Sequence, residues 1–243
     1  MNVSASGYRF VHDALGTLHS QHGQDATIIK LFGSRRNGYF VDLAANEPLY
    51  LSNTRTLERD FSWRGVCIEG NDALVRKLEH RRRCVVQHAV VGEAEGKEVV
   101  FSVRPEGVQS GFSRVLRNAT QDNVALEAER LVNASRAPLR LQRHRMRTLA
   151  GILDSVGAPR TIEYLSLDVE GSEEEVLSRF PFERYVFLAM TVERPSGGLR
   201  ANLRANGYLW ALDHGPHGDE CWVHQSMREA ASRTLGVVPS RQA

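Results

Sequence analysis

The chain has 243 residues, 42% hydrophobic and 25% charged, with a formal net charge of +2. That length accommodates one large α/β domain with its own core, and the charge balance names no polyanionic partner. The cysteines Cys67, Cys84 and Cys221 show neither a disulfide framework nor zinc-ligand spacing, which favours a reducing compartment and argues against structural zinc. No apolar signal core opens the chain and no stretch approaches the roughly 20 apolar residues of a membrane span, so a cytoplasmic protein without a membrane partner is expected.

Residues 1–36 read as an N-terminal helical segment. Val11, Leu15 and Leu18 recur at helical spacing, and Ile28, Ile29, Leu31 and Phe32 follow a polar break at Ser20–Asp25 that can cap the second part. Asn37-Gly38 is a turn signal. The body of the chain, 37–226, then alternates short apolar runs with helical patterns. Strand one is expected at Tyr39–Asp42, a helix over 51–61, strand two at Val66–Glu69 and a helix after Asn71-Asp72. Strand three covers 84–91, with Glu98–Val103 as its hairpin partner through Gly92 and Gly96. Residues 104–146 break the rhythm and read as an insert or lid, with a polar helical stretch at Asn123–Asn133. Thr148 caps a helix that Gly157 ends. Strand four is Ile162–Asp168, and Glu173–Glu175 open the next helix, where acids favour the dipole. Strand five is Tyr185–Glu193. A helix near Leu199–Asn206 and an antiparallel pair, Tyr208–Leu212 with Cys221–His224, close the domain. Residues 227–243 are expected to be a flexible tail. This order predicts an α/β, Rossmann-like fold: a seven-stranded, mostly parallel sheet with one antiparallel edge strand and helices on both faces.

Four of the apolar runs end in a carboxylate: Asp42, Glu69, Asp168 and Glu193. In open α/β sheets the ligand sits outside the carboxyl ends of the strands, so these acids are expected to converge on one crevice. The turn Asp42-Leu43-Ala44-Ala45-Asn46 has small residues that let backbone approach a ligand. Glu69, at the end of strand two, is placed to accept both hydroxyls of a ribose. Neither GxGxxG nor a Walker A motif is present, which argues against dinucleotide pyrophosphate and nucleoside triphosphate. S-adenosylmethionine suits the acids better, because its sulfonium and α-ammonium are both attracted to carboxylates.

The blocks Ser20-Gln21-x-Gly23-Gln24-Asp25, Gly38-Tyr39-Phe40-Val41-Asp42-x-Ala44-Ala45-Asn46, Leu51-Ser52-Asn53-Thr54-x-x-Leu57-Glu58, Trp63-x-Gly65-Val66-Cys67-Ile68-Glu69 and Leu165-Ser166-Leu167-Asp168-Val169-Glu170-Gly171-x-Glu173 resemble the FkbM methyltransferase family over roughly residues 20–226. The resemblance implies a class I methyltransferase fold with S-adenosylmethionine as methyl donor. It implies that Asp42 to Asn46 line the methionine end, that Glu69 holds the ribose, that His88-Ala89 flank the adenine, and that Ser52-Asn53-Thr54 meet the methionine carboxylate. One departure stands out: Ala44 occupies a position where the family usually has Gly, and its methyl restricts φ and crowds the ligand.

Methyl transfer needs in-line geometry and removal of the acceptor's proton. Asp168 is expected beside the transferred methyl and also in the cofactor site. Glu170, Glu193 and His214 are further catalytic candidates, with His217 as an alternative to His214. Asp168 and Glu193 offer oxygen ligands for Mg²⁺. The Arg140–Arg147 and Arg81–Arg83 clusters read as solvated faces, and without aromatic interleaving nucleic acid is not an expected partner. The expected activity is O-methylation of a small-molecule acceptor such as a sugar, a polyketide or another natural-product intermediate; a homo-oligomer is compatible with the sequence. The alternatives are a nicotinamide-dependent oxidoreductase on a similar sheet and a non-catalytic cofactor- or RNA-binding scaffold.

Overall fold

The computed structural model describes residues 12–13, 16–103, 114–115, 140–216 and 218–240. Two short strands, β1 (His12–Asp13) and β2 (Gly16–Thr17), pair antiparallel ahead of α1 (Gln24–Leu31). The central rhythm follows as β3 (Tyr39–Leu43), α2 (Arg55–Phe61), β4 (Arg64–Glu69), α3 (Asp72–Arg81) and β5 (Val85–His88). It resumes as α4 (Leu149–Ser155), β9 (Thr161–Leu167), α5 (Glu173–Leu177), β10 (Val186–Val192), α6 (Gly197–Ala205), β11 (Tyr208–His214), β12 (Asp219–His224) and α7 (Arg228–Leu235). Between the two halves, β6 (Glu98–Val103) sits between β7 (Arg114–Val115) and β8 (Arg140–Arg145) in a separate three-stranded sheet.

The main sheet has seven strands in the order β11-β12-β10-β9-β3-β4-β5. Its pairs from β5 to β10 are parallel, and β12 alone runs against its neighbours, with β11 outside it at the edge. The order reverses between β3 and β9, so a crevice opens above their carboxyl ends. Side-chain alternation divides the core into two layers. Val41, Leu43, Val66, Ile68, Leu165 and Leu167 pack with α4, α5 and α6 on one face. Phe40, Cys67, Tyr164 and Ala189 pack with α1, α2, α3 and α7 on the other.

Three expectations are corrected. Among the described residues, the N-terminal segment 1–36 is helical only over Gln24–Leu31, because Gly16 and Thr17 are poor helix formers and pair as a ribbon instead. Glu98–Val103 does not pair with strand three. That strand leaves the sheet after His88, and β6 instead meets β8 in a register that sets Glu98 opposite Arg145. The expected flexible tail 227–243 contains α7. Ala231 on this helix is wholly buried, Leu235 and Met227 pack around it, and Ser240 bridges to Trp210. Their four-residue spacing gives the helix an apolar face that the body of the domain covers. The expected helical stretch Asn123–Asn133 and most of the insert lie outside the described residues.

Candidate active site

The register of the sheet builds one row of polar side chains. Asp42 lies opposite Cys67 on β4 and Ser166 on β9, and Ser166 lies opposite Thr191 on β10. One pleat earlier the same face carries the apolar Phe40, Tyr164 and Ala189, so polarity begins where the strands meet the crevice. A cleft of about 1210 Å³, counted to its open mouth, spreads over these strand ends. Asp42, Glu69 and Asp168 all line it, which brings together three of the four strand-end acids.

Asp42 is buried, and its Oδ2 accepts a hydrogen bond from Thr54 Oγ1 at 2.5 Å. Burial raises its carboxyl above the ordinary aspartate range; the Arg82 charge and the Thr54 and Ser166 hydroxyls pull the other way. After Leu43 the chain turns sharply, and the Ala44 and Ala45 amides donate to Ile68 O at 2.9 and 3.1 Å. The turn is therefore pinned to β4 with Ala44 and Asn46 in the left-handed region, at φ 60° and 52°. The Ala44 methyl thus sits on a backbone conformation that favours glycine.

Glu69 is buried and uses both oxygens. Oε2 accepts from the Asn46 amide at 2.9 Å and Oε1 from the Asn71 amide at 2.8 Å. Burial raises this carboxyl, against those amides and that of Gly70. The three amides take three of the about four lone-pair sites of the carboxylate, so they orient it without exhausting it. Beside it stands an apolar wall of Leu74, Ala89, Val90 and Phe101. Gly70 lets the Phe101 ring approach the backbone here, since a Cβ would lie 2.7 Å from that ring and 3.1 Å from Val90. His88 does not join this wall. It is exposed, its Nε2 lies 3.0 Å from Gly70 O, and its ring meets His144 edge-on at 5.3 Å. Alternation at the end of β5 turns His88 away and Ala89 inward.

The segment Ser52-Asn53-Thr54 leads into α2. Ser52 lines the cleft and its Oγ accepts from the Arg55 amide at 3.2 Å; Asn53 lines it too and donates to Ser166 Oγ at 3.0 Å. Thr54 is fully buried and does not face the cleft. Arg82 corrects the solvated-face reading of Arg81–Arg83, because its side chain is 0% exposed and ion-pairs with Glu58 at 2.8 Å. Nothing in the local sequence distinguishes it from the exposed Arg81 and Arg83 beside it. Gln21 and Phe101 also line the cleft. Gln21 comes from the loop that buried Asp25 ties down through the His19 amide and the Thr56 hydroxyl; Phe101 comes from the small sheet, which strand-end reasoning does not reach.

At the far end, Asp168, Glu170 and Glu193 each bring a carboxylate oxygen within 4.8 Å of the others. Asp168 opens to the cleft, yet desolvation, then the Glu193 charge, pushes its carboxyl well above the ordinary range. The same two causes push Glu170 to about 7. Arg194 reaches both Glu170, at 3.2 Å, and Glu193. One Glu193 oxygen, Oε2, is buried without a hydrogen-bond partner among the described residues. Glu173, by contrast, is structural, accepting from the Val169 and Gly171 amides that shape the turn. His214 is not brought to this site. It is buried beside His22 and does not line the cleft, and burial lowers its pKa. Its position at the end of β11 turns the ring inward. His217 lies outside the described residues.

A doubly wound sheet with a reversed strand beside its edge, and acids at the tips of its central strands, defines the class I, Rossmann-like methyltransferase fold. Residues 42–209, more than half of the chain, match the Methyltransferase FkbM domain, and the chain belongs to the FkbM methyltransferase family. This membership implies S-adenosylmethionine as the methyl donor and favours methyl transfer over the nicotinamide-dependent alternative. Curated protein sequences give no match. Similar solved structures include precorrin-6y C5,15-methyltransferase from Geobacter metallireducens GS-15, with 11% identity, a TM-score of 0.40, and coverage of 88% of this chain and 91% of that one. Among the described residues no helix is long and apolar enough to cross a membrane.

Proposed function

We propose that the protein transfers a methyl group from S-adenosylmethionine to a hydroxyl oxygen of a small metabolite. The observation that carries this reading is the presence of Asp42 and Glu69 on one cleft, both buried and both with accepting capacity left over. The donor set fits the cofactor. Glu69 accepts the ribose hydroxyls, with Asn46 and Asn71 fixing its plane, and Phe101 and Val90 cover the adenine. Asp42 attracts the ammonium. Ser52, whose oxygen already accepts from Arg55 and Arg82, has its own hydrogen left to donate to the carboxylate. When bound, S-adenosylmethionine supplies an electrophilic methyl on a sulfonium.

The proton of the acceptor goes to the acid cluster. Glu170, at about 7, is poised for general-base catalysis near neutral pH, and Asp168 beside it lines the same end. Cofactor binding tests the reading. Titration with S-adenosylhomocysteine in a calorimeter should saturate, and Glu69→Gln, which replaces one acceptor oxygen with a donor, should weaken binding by about tenfold or more. Unchanged affinity in that variant would remove the ribose role.

The three-carboxylate cluster favours a second reading of the acceptor end, in which Asp168 and Glu193 hold Mg²⁺. Hard oxygen donors suit that ion, and it would supply Lewis-acid activation of the acceptor hydroxyl. Arg194 is the competing cation on Glu193 and Glu170. Loss of turnover with chelator and recovery with Mg²⁺ would favour the metal; full turnover in chelator would leave the charge balance to Arg194.

A further inference from the structure

Arg82 sits just beyond α3, away from the cleft, yet its donors lead toward it. The Nε donates to Glu58 Oε2 at 2.8 Å, Nη1 to Ser52 Oγ at 3.2 Å and Nη2 to Thr54 Oγ1 at 2.8 Å. The guanidinium also lies over the Phe40 ring, 5.7 Å from its centroid. Thr54 has one hydroxyl hydrogen. Because its oxygen accepts from Arg82, that hydrogen is directed to Asp42 Oδ2. The chain Arg82–Thr54–Asp42 thus has one direction, and each bond polarises the next. Ser52 is set the same way: its oxygen takes Arg82 and its hydrogen is left over.

The charge count sharpens this. Glu58 pairs directly with Arg82 and also accepts the Arg83 and Cys84 amides at 2.8 and 2.7 Å. Glu58 Oε2 also takes Arg55 Nη1 at 3.0 Å, so one carboxylate faces two guanidiniums, and Asp42, bonded to Arg82 through the Thr54 hydroxyl, is the second buried acid in that charge balance. A buried ion pair is an expensive way to gain stability alone. This one places its remaining donors on Ser52, which lines the cleft, and on Thr54, which passes the contact to Asp42 of the cleft. None reaches Glu69 or the Phe101 wall. We propose that Arg82 is a positioning residue for the amino-acid end of the cofactor, holding Ser52 directly and Asp42 through Thr54. This rests on the assignment of Asp42 and Ser52 to that end.

The test compares two ligands that share the adenosine part. S-adenosylhomocysteine carries the amino-acid tail and 5′-methylthioadenosine lacks it. Thr54→Val keeps the shape and removes the relay hydroxyl; Arg82→Lys keeps the charge and loses the fork. Each variant is checked for a native circular-dichroism spectrum and melt, and both ligands are titrated by calorimetry. In each variant, S-adenosylhomocysteine binding is expected to weaken by about tenfold, while 5′-methylthioadenosine stays within about twofold of the parent. Equal losses for both ligands, or no loss for either, would overturn the positioning role and leave the cofactor assignment standing. A parent protein that binds neither ligand would overturn both.

Discussion

Ala44 has a positive φ of 60° in the turn after β3. A left-handed conformation costs a residue with a Cβ about 1–2 kcal/mol, while glycine adds roughly 0.4–1 kcal/mol of unfolded-chain entropy. Ala44→Gly should therefore raise stability by about 0.5–1 kcal/mol in urea unfolding and bind S-adenosylhomocysteine at least as well. Among the described residues, five of the eight non-glycine residues with positive φ, namely Ala44, Asn46, Leu51, Glu170 and Arg194, lie at the cleft or beside its acid cluster. Strain thus collects where the chemistry is placed. Glu170 gives a pH-dependent consequence. Its folded pKa, about 7, lies above the usual glutamate value, so its contribution to stability is complete in acid and is lost as pH rises from about 4.5 through 7. In thermal melts with chelator present, Glu170→Gln should gain on the parent between pH 5 and pH 8; parallel curves would contradict this. The sequence made the acids at Asp42, Glu69 and Asp168 legible because strand ends are where ligands bind. It set Thr54 in the cleft, where the structure buries it behind Asp42, and it left Arg82 hidden, since the partners of Arg82 are distant in sequence. His88 and His214 were misplaced because the phase of alternation at a strand's last residue is set by how the chain leaves the sheet.

Elements carry the next level. The small sheet β7-β6-β8 supplies Phe101 to the cleft and ties to α3 through Gln142 and Asp72, 3.0 Å apart. Phe101 packs over Gly70, where a Cβ would lie 2.7 Å from the ring, so Gly70→Ala should push Phe101 outward. The expected result is weaker S-adenosylhomocysteine binding, by about tenfold, with 5′-methylthioadenosine weakened as much, since the damage is at the adenosine end. The alternating strands and helices were legible because buried parallel strands are short, apolar and bounded by caps. The pairing of β6 was not, since one strand's alternation is satisfied by any partner that covers the same face. The first strands were lost for a related reason: Val11, Leu15 and Leu18 fit helical spacing, and too few residues separate that pattern from a ribbon.

At the scale of the molecule, two apolar layers enclose the sheet, and the layer containing α1, α2, α3 and α7 also backs the polar row that ends in Asp42. Removing residues 228–240 would uncover Leu209, Ala211 and Ile28, which pack in the same layer as Ala231. The shortened chain should melt at a lower temperature and expose apolar surface to a hydrophobic dye; an unchanged melt would mean that α7 adds nothing to the layer. The seven-stranded order follows from alternation and short connections, and that is why the whole was easier to read than its last helix, whose single apolar face is short and flanked by charge.

The meeting of α1 with α7 joins segments some two hundred positions apart into one unit. Such a clasp cannot fray from one side without loosening the other. Amide protons around Ile28 and around Ala231 should then trade with deuterated solvent at a common rate, the two ends of the described chain opening as a single door.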